Sequence, residues 1–228
     1  MYLILIVFSL TLSLTSCNQL TTSPESEEPD SHSVSELPNT ASGTIAYESI
    51  AEFFLAASNG GNASDAYFAH EGAELLAQST RAVWNSNYNR SYSVGSGDLY
   101  PRLSFQQNFI KAFNDANVKL LLGTDAPVIP GVVPGFALFR ELELYVEAGI
   151  SPFDALRAGT ANPGEFISQH MADEVPFGVV DVGYRADLIL LRKNPLTDVR
   201  NVRSPVGVMA RGIWYSENWI SETVRSYR

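Results

Sequence analysis

The sequence predicts an α/β chain: the end of an α/β barrel running into a separate β unit. Three observations carry this. The run Val118-Lys119-Leu120-Leu121-Leu122 is short, nearly all apolar and closed by Gly123, the pattern of a buried parallel strand. Helical patterns lie before and after it. Beyond residue 180 the pattern changes to short strands joined by a tight turn. The chain divides into residues 1–17, 18–43, 44–180 and 181–228, and each part has its own character.

Residues 1–17 hold an apolar run from Leu3 to Leu14, too short to span a bilayer comfortably. The run ends in Leu14-Thr15-Ser16-Cys17, which resembles the lipobox of bacterial lipoproteins. That resemblance implies lipidation at Cys17, an exported protein and attachment to the cell envelope membrane. Only Met1 and Tyr2 precede the run, so the usual basic n-region is missing. An ordinary secretory signal with a chance cysteine is the alternative. Cys17 is the single cysteine, so no disulfide can form within the chain.

Residues 18–43 are rich in Ser, Thr, Pro and Glu and contain no Lys or Arg, the composition of a disordered tether. No Lys or Arg occurs before Arg81, and ten of the 25 acidic side chains lie before it. The rest balances fifteen against fifteen, so the net charge of −10 belongs to the front of the chain. An acidic front and a neutral body leave no basic footprint for nucleic acid. Membrane attachment would come through lipid on Cys17 and not through a basic patch.

In the third part, residues 47–57 read as an amphipathic helix, 59–62 as a turn, 70–84 as a helix and 91–97 as a loop. Trp84, Tyr88, Tyr92 and Tyr100 either line a pocket or pack between helices. Phe105, Phe109, Ile110 and Phe113 share one face of the helix before the strand. Asp125 then lies just past the end of strand 118–122, on the side where α/β barrels and open α/β sheets keep their chemistry. A carboxylate there can ligate a metal or take a proton from water. An Asx turn or a helix N-cap would use Asp125 equally well. Gly149 marks a helix stop, and Ser151-Pro152 with Asp154 the start of the next helix. Asn162-Pro163 with Glu165 repeats that start signal. Residues 187–191 and 205–210 read as strands, with a hairpin turn at Arg211-Gly212.

Four blocks in order carry a wider resemblance. They are Leu121-Leu122-Gly123-Thr124-Asp125-Ala126, Glu141-Leu142-Glu143-Leu144-Tyr145-Val146-Glu147-Ala148-Gly149, the stretch from Ser151-Pro152 to Ala161-Asn162-Pro163, and Gly183-Tyr184-Arg185-Ala186-Asp187-Leu188-Ile189-Leu190-Leu191. Together they resemble metal-dependent amidohydrolases of the imidazolonepropionase and prolidase-like type. The resemblance implies the C-terminal part of a TIM-type (β/α)8 barrel in residues 44–180, followed by strands of a small β-sandwich in 181–228. It implies hydrolysis of non-peptide or cyclic amide C–N bonds by metal-activated water, with zinc or another divalent metal as cofactor. Asp125 matches the family's Asp on the last barrel strand, a metal ligand and proton carrier.

The family's other ligands have no counterpart. It uses a His-x-His pair on the first barrel strand, a carboxylated Lys or Glu on the fourth, and His on the fifth and sixth. The histidines here are His32, His70 and His170, and none follows a strand-like run. Lys111 and Lys119 are the lysines before Asp125, and neither sits beyond a strand end. A catalytic zinc takes three protein ligands, so this chain alone is expected to hold no metal tightly. Where relatives often carry His before the Glu-Leu-Glu-Leu helix, this chain has Phe139-Arg140. A complete barrel takes about 250 residues, which leaves an expected missing N-terminal half or a homo-oligomer. Two functions follow from the resemblance: a hydrolase of a small-molecule amide, or a truncated, inactive, membrane-tethered remnant or interaction domain.

Overall fold

The computed structural model describes residues 2–4, 40–43, 68–86, 100–124, 126–127, 130–171 and 175–227. In chain order these form β1 (Tyr2–Ile4), β2 (Thr40–Gly43), a 3-10 turn at Ala73–Leu75, α1 (Gln78–Trp84), α2 (Tyr100–Asp115) and β3 (Lys119–Leu122). Then come α3 (Phe136–Glu147), α4 (Pro152–Ala158), α5 (Ala161–His170) and β4 (Leu188–Leu191). A second 3-10 turn at Val199–Arg203, β5 (Pro205–Ala210), β6 (Ile213–Ser216) and α6 (Glu217–Ser226) complete it.

β3 pairs with β2 in parallel, from Thr40 opposite Lys119 to Gly43 opposite Leu122. The remaining strands form an antiparallel sheet in the order β1-β4-β5-β6. Both partners of the unexpected pairings come from segments whose composition suggested something else. Thr40–Gly43 closes the polar tether, and Tyr2–Ile4 opens the apolar leader. Short length is what hid them: a strand of three or four residues shows no period.

Around β3 the helices follow their end signals. α3 turns inward with Leu142, Leu144 and Tyr145 buried, each apolar side chain worth about 1.5–3 kcal/mol of burial. Gly149, at φ 90°, stops it, with Gly149 N donating to Val146 O at 2.9 Å and Ile150 N to Tyr145 O at 3.1 Å. Ser151 caps α4 as expected, its hydroxyl oxygen accepting from Asp154 N at 3.1 Å.

The start of α5 differs from the sequence reading. Asn162 is not its N-cap; the helix begins at Ala161, preceded by Thr160. The Thr160 hydroxyl cannot cap it, because it donates back to Leu156 O of α4 at 2.8 Å. Asn162 is buried, and its Nδ2 donates to Leu120 O of β3 at 2.9 Å. The expected single helix over 70–84 is also split, into the 3-10 turn and α1, with Leu76 extended between them. The last part is not all strands either: Ser216 accepts from Trp219 N at 3.3 Å and starts α6, which buries none of its residues.

One core joins the two sheets. Ile110 of α2, Leu120 of β3, Leu142 and Leu144 of α3, Ile189 and Leu191 of β4, and Val199 and Val202 of the second 3-10 turn form one buried cluster. The boundary near residue 180 is thus a change of pattern without a break in packing. Ile110 and Phe113 of the four-residue apolar face of α2 reach this core, while Phe105 and Phe109 are exposed. The hairpin turn stands as the sequence predicted, with Arg211 at φ 50° and Gly212 at φ 81°. Ala73, Trp84 and Val133 form a second, smaller cluster.

Candidate active site

β3 ends at Leu122, and Gly123-Thr124 carry the chain past the sheet. Asp125 itself lies outside the described residues, as do Cys17 and His32. The residues on either side of Asp125 are fixed from several directions. Thr124 is buried, and its Oγ1 accepts from Ala126 N at 3.3 Å, a local side-chain turn around the missing position. The peptide bond between Ala126 and Pro127 is cis. Pro127 O accepts from the Trp84 indole Nε1 at 2.9 Å.

Upstream, two successive carbonyls of β3 accept from side chains. Asn162 Nδ2 reaches Leu120 O, and Tyr145 Oη donates to Leu121 O at the long distance of 3.4 Å. Burial, and then the nearby Glu141 charge, push the Tyr145 hydroxyl well above the ordinary phenol range. It therefore stays protonated and remains a donor. The other amide oxygen of Asn162 has no hydrogen-bond partner and is buried.

The segment 68–86 forms a wall beside this turn. Trp84 is wholly buried and stacks on Phe68 at 5.9 Å between ring centres. Of the two readings of the aromatics, packing between elements therefore holds for Trp84; Tyr88 and Tyr92 lie outside the described residues. The predicted helix 47–57, turn 59–62 and loop 91–97 lie outside them as well.

Where this wall meets α3 there is a cavity of about 170 Å³, lined among others by His70, Glu71, Phe136, Arg140 and Arg203. Its charges are already paired. Arg203 donates to Glu143 Oε1 and to Glu71 Oε2, both at 2.8 Å, and Arg140 to Glu147 Oε1 at 2.8 Å. The Arg203 guanidinium lies 5.2 Å from the centre of the Phe139 ring. Phe139, which stands where a His is frequent in the resemblance, thus carries a cation here.

Among the described residues no three His, Cys, Asp or Glu side chains converge as a metal would require. His170 is exposed, stacked on Phe166 at 4.3 Å with Nδ1 2.8 Å from Phe166 O, a surface helix residue. Lys119 pairs with Glu165 and Lys111 with Asp115. The described donor set therefore does not fit a bound divalent metal.

A parallel strand flanked by helices, with the candidate carboxylate just beyond its C-terminal end, defines an α/β hydrolytic scaffold. The chain belongs to the amidohydrolase family, whose model matches residues 45–214. Membership implies a fold of the TIM-barrel type and, in the family generally, dependence on a metal. The chain is similar to ochratoxinase of Aspergillus niger, 35% identical over 95 residues, which is 41% of this chain and 18% of the relative. Among solved structures it is similar to bottromycin amidohydrolase, with 21% identity, a TM-score of 0.52, and coverage of 68% of this chain and 34% of the other. The crystal structure of A. niger ochratoxinase gives 23% identity, a TM-score of 0.45, and coverage of 77% and 31%. The chain thus spans about a fifth of the ochratoxinase sequence it matches and about a third of the solved chains.

Sequence reasoning found Asp125 but not the residues around it. Asn162 carried a helix-start signal, and nothing in its spacing pointed to a strand 42 residues away. Trp84 gave no sign of its bond to Pro127, and Thr124 was passed over for its neighbour.

Proposed function

We propose that this chain is the C-terminal part of a hydrolase of amide C–N bonds, with Asp125 as its reactive carboxylate. The observation that carries the reading is the family match over residues 45–214, in which Asp125 directly follows the end of a parallel strand. Residues 44–180 then correspond to the end of the barrel and 181–228 to strands of the flanking sandwich. Asp125 takes the proton from the water that attacks the amide carbonyl and passes it to the leaving nitrogen. No described residue besides offers itself for that transfer, and no step is assigned to a metal here. In the family reading Asp125 is also a metal ligand, and its fellow ligands must come from outside the described residues. The substrate is a small-molecule amide, and ochratoxin, after the relative's name, heads the panel to be tried.

The test is hydrolysis of a panel of aryl and cyclic amides, followed by amine release, with and without added zinc. The expected result is turnover that Asp125→Asn reduces by a factor on the order of 10² or more. The second reading, an inactive domain tethered at a membrane, is favoured by the histidine inventory. Absence of turnover on the whole panel, with the chain folded, would establish it over the first.

We further propose that Cys17 carries lipid and holds the protein at a membrane. Its support is the Leu14-Thr15-Ser16-Cys17 match. No described helix is long and apolar enough to cross a membrane. Cleavage before Cys17 would remove β1 from the edge of β4, so the two arrangements exclude each other in one molecule. The intact mass of the membrane fraction decides: an acylated chain starting at Cys17 supports the anchor, and an unmodified chain retaining Tyr2 overturns it.

A further inference from the structure

We infer that Trp84 is a positioning residue that fixes the turn carrying Asp125; the catalytic meaning of this rests on the proposed role of Asp125. The Trp84 ring is 0% exposed, so it cannot touch a substrate. What it does touch is the carbonyl of Pro127, two residues past Asp125, through a 2.9 Å hydrogen bond. Proline has no N–H, so that carbonyl is the backbone group through which residue 127 can be held. An indole N–H is a donor only, so the bond has one sense and does not change with pH.

The other end of the turn is held independently. Thr124 is buried, and its hydroxyl oxygen accepts from Ala126 N at 3.3 Å. Successive Cα atoms are about 3.8 Å apart, so fixing residues 124 and 127 confines the residue between them to a small volume. The indole in turn has little room to leave. Phe68 stacks against it, and Gly72, at φ 81°, lets the Phe136 ring close the cluster where a Cβ would lie 2.2 Å from that ring. A helix 43 residues earlier in sequence than Pro127 therefore sets the backbone at the reactive position. A misplacement of about 1 Å at such a position costs on the order of 10² in rate.

The test uses the full chain in three forms: wild type, Trp84→Phe, and a chain whose residue 84 carries benzothiophene in place of indole. The last keeps the ring shape and replaces the N–H by sulfur, so it answers for any loss of packing in the phenylalanine variant. Amide hydrogen exchange resolved by peptide, and kcat and KM on the amide substrate, are measured for each. The expected result is a cooperative thermal transition in all three and exchange about tenfold faster across residues 123–128 with no change across 140–158. With it, kcat should fall about 10- to 100-fold while KM stays within about twofold. Unchanged protection at 123–128 in both altered forms overturns the inference. So does protection lost equally from both stretches, because that marks a purely structural side chain. Asp125→Asn is measured alongside. If it turns over like wild type, or wild type turns over nothing, the proposed function falls, and the exchange result still decides whether Trp84 holds the turn.

Discussion

The parallel pair β2–β3 and the antiparallel sheet β1-β4-β5-β6 share one core but are held in different ways. The antiparallel sheet is a run of main-chain ladders, with β4–β5 and β5–β6 each in continuous contact. Its side chains on β6 are largely exposed, Trp214 and Ile213 among them. β3 has a single ladder neighbour among the described residues and is instead tied by side chains from α3 and α5 to its carbonyls. The chain just beyond it is tied by Trp84 of α1. A strand held by ladders tolerates side-chain change, whereas a strand held by side chains does not. The candidate site lies on the sensitive one.

The largest effect is expected where the helices close on the β3 side. Gly164 of α5 has no room for a Cβ, which would stand 2.1 Å from Phe177 O. Gly164→Ala should cost about 3 kcal/mol, because backbone must move. A fall in the urea midpoint at unchanged slope would measure it. A loss under about 1 kcal/mol would mean the two segments separate easily. Next, Asn162→Leu removes the bond to Leu120 O and should cost about 1–3 kcal/mol by leaving a buried acceptor unsatisfied. Hydrogen exchange should show the change first at 119–124. If exchange rises first in β4–β6, the contrast drawn above is wrong.

Between the regions, Arg203 of the second 3-10 turn bonds to Glu143 of α3, and both are partly buried. A double-mutant cycle with Arg203→Met and Glu143→Gln should give a coupling of about 1 kcal/mol. The cycle with the exposed Glu71 should give less than about 0.5 kcal/mol. On the ladder-held sheet, the Trp214 ring covers Gly207, whose added Cβ would lie 2.2 Å from it. Trp214→Ser should still cost no more than about 1 kcal/mol. The smallest effect is that of the exposed pair Glu165 and Lys119. The hydrogen bond from Lys119 holds the Glu165 carboxyl below its ordinary value. A depressed carboxylate gives its stability above the unfolded value and loses it as pH falls through the folded one. Melting curves of wild type and Glu165→Gln should therefore differ slightly at neutral pH and merge below about pH 4.

These contrasts explain what the sequence could show. Ser151, Gly149 and Arg211-Gly212 act through residues one to five positions away, so local pattern reveals them. Asn162 and Thr160 carry the same residue types but spend them on partners outside their own helix, and the start signal they suggest is absent. β1 and β2 are specified by the strands they join and not by their own few residues. For the site, the strand and Asp125 were legible because an apolar run ending at a carboxylate is a local pattern. The Trp84 anchor was not, because it joins two segments 43 residues apart through a backbone carbonyl.

The pairing of Tyr2 with Leu191 also sets a schedule for synthesis. A ribosome adds about 5–20 residues per second. Tyr2–Ile4 therefore leave the ribosome roughly 10–40 s before the strand they join exists. During that interval β1 has no ladder to enter, and its apolar side chains are open to any factor that meets nascent chains. The fate of the N-terminus is thus a race between that factor and the arrival of β4.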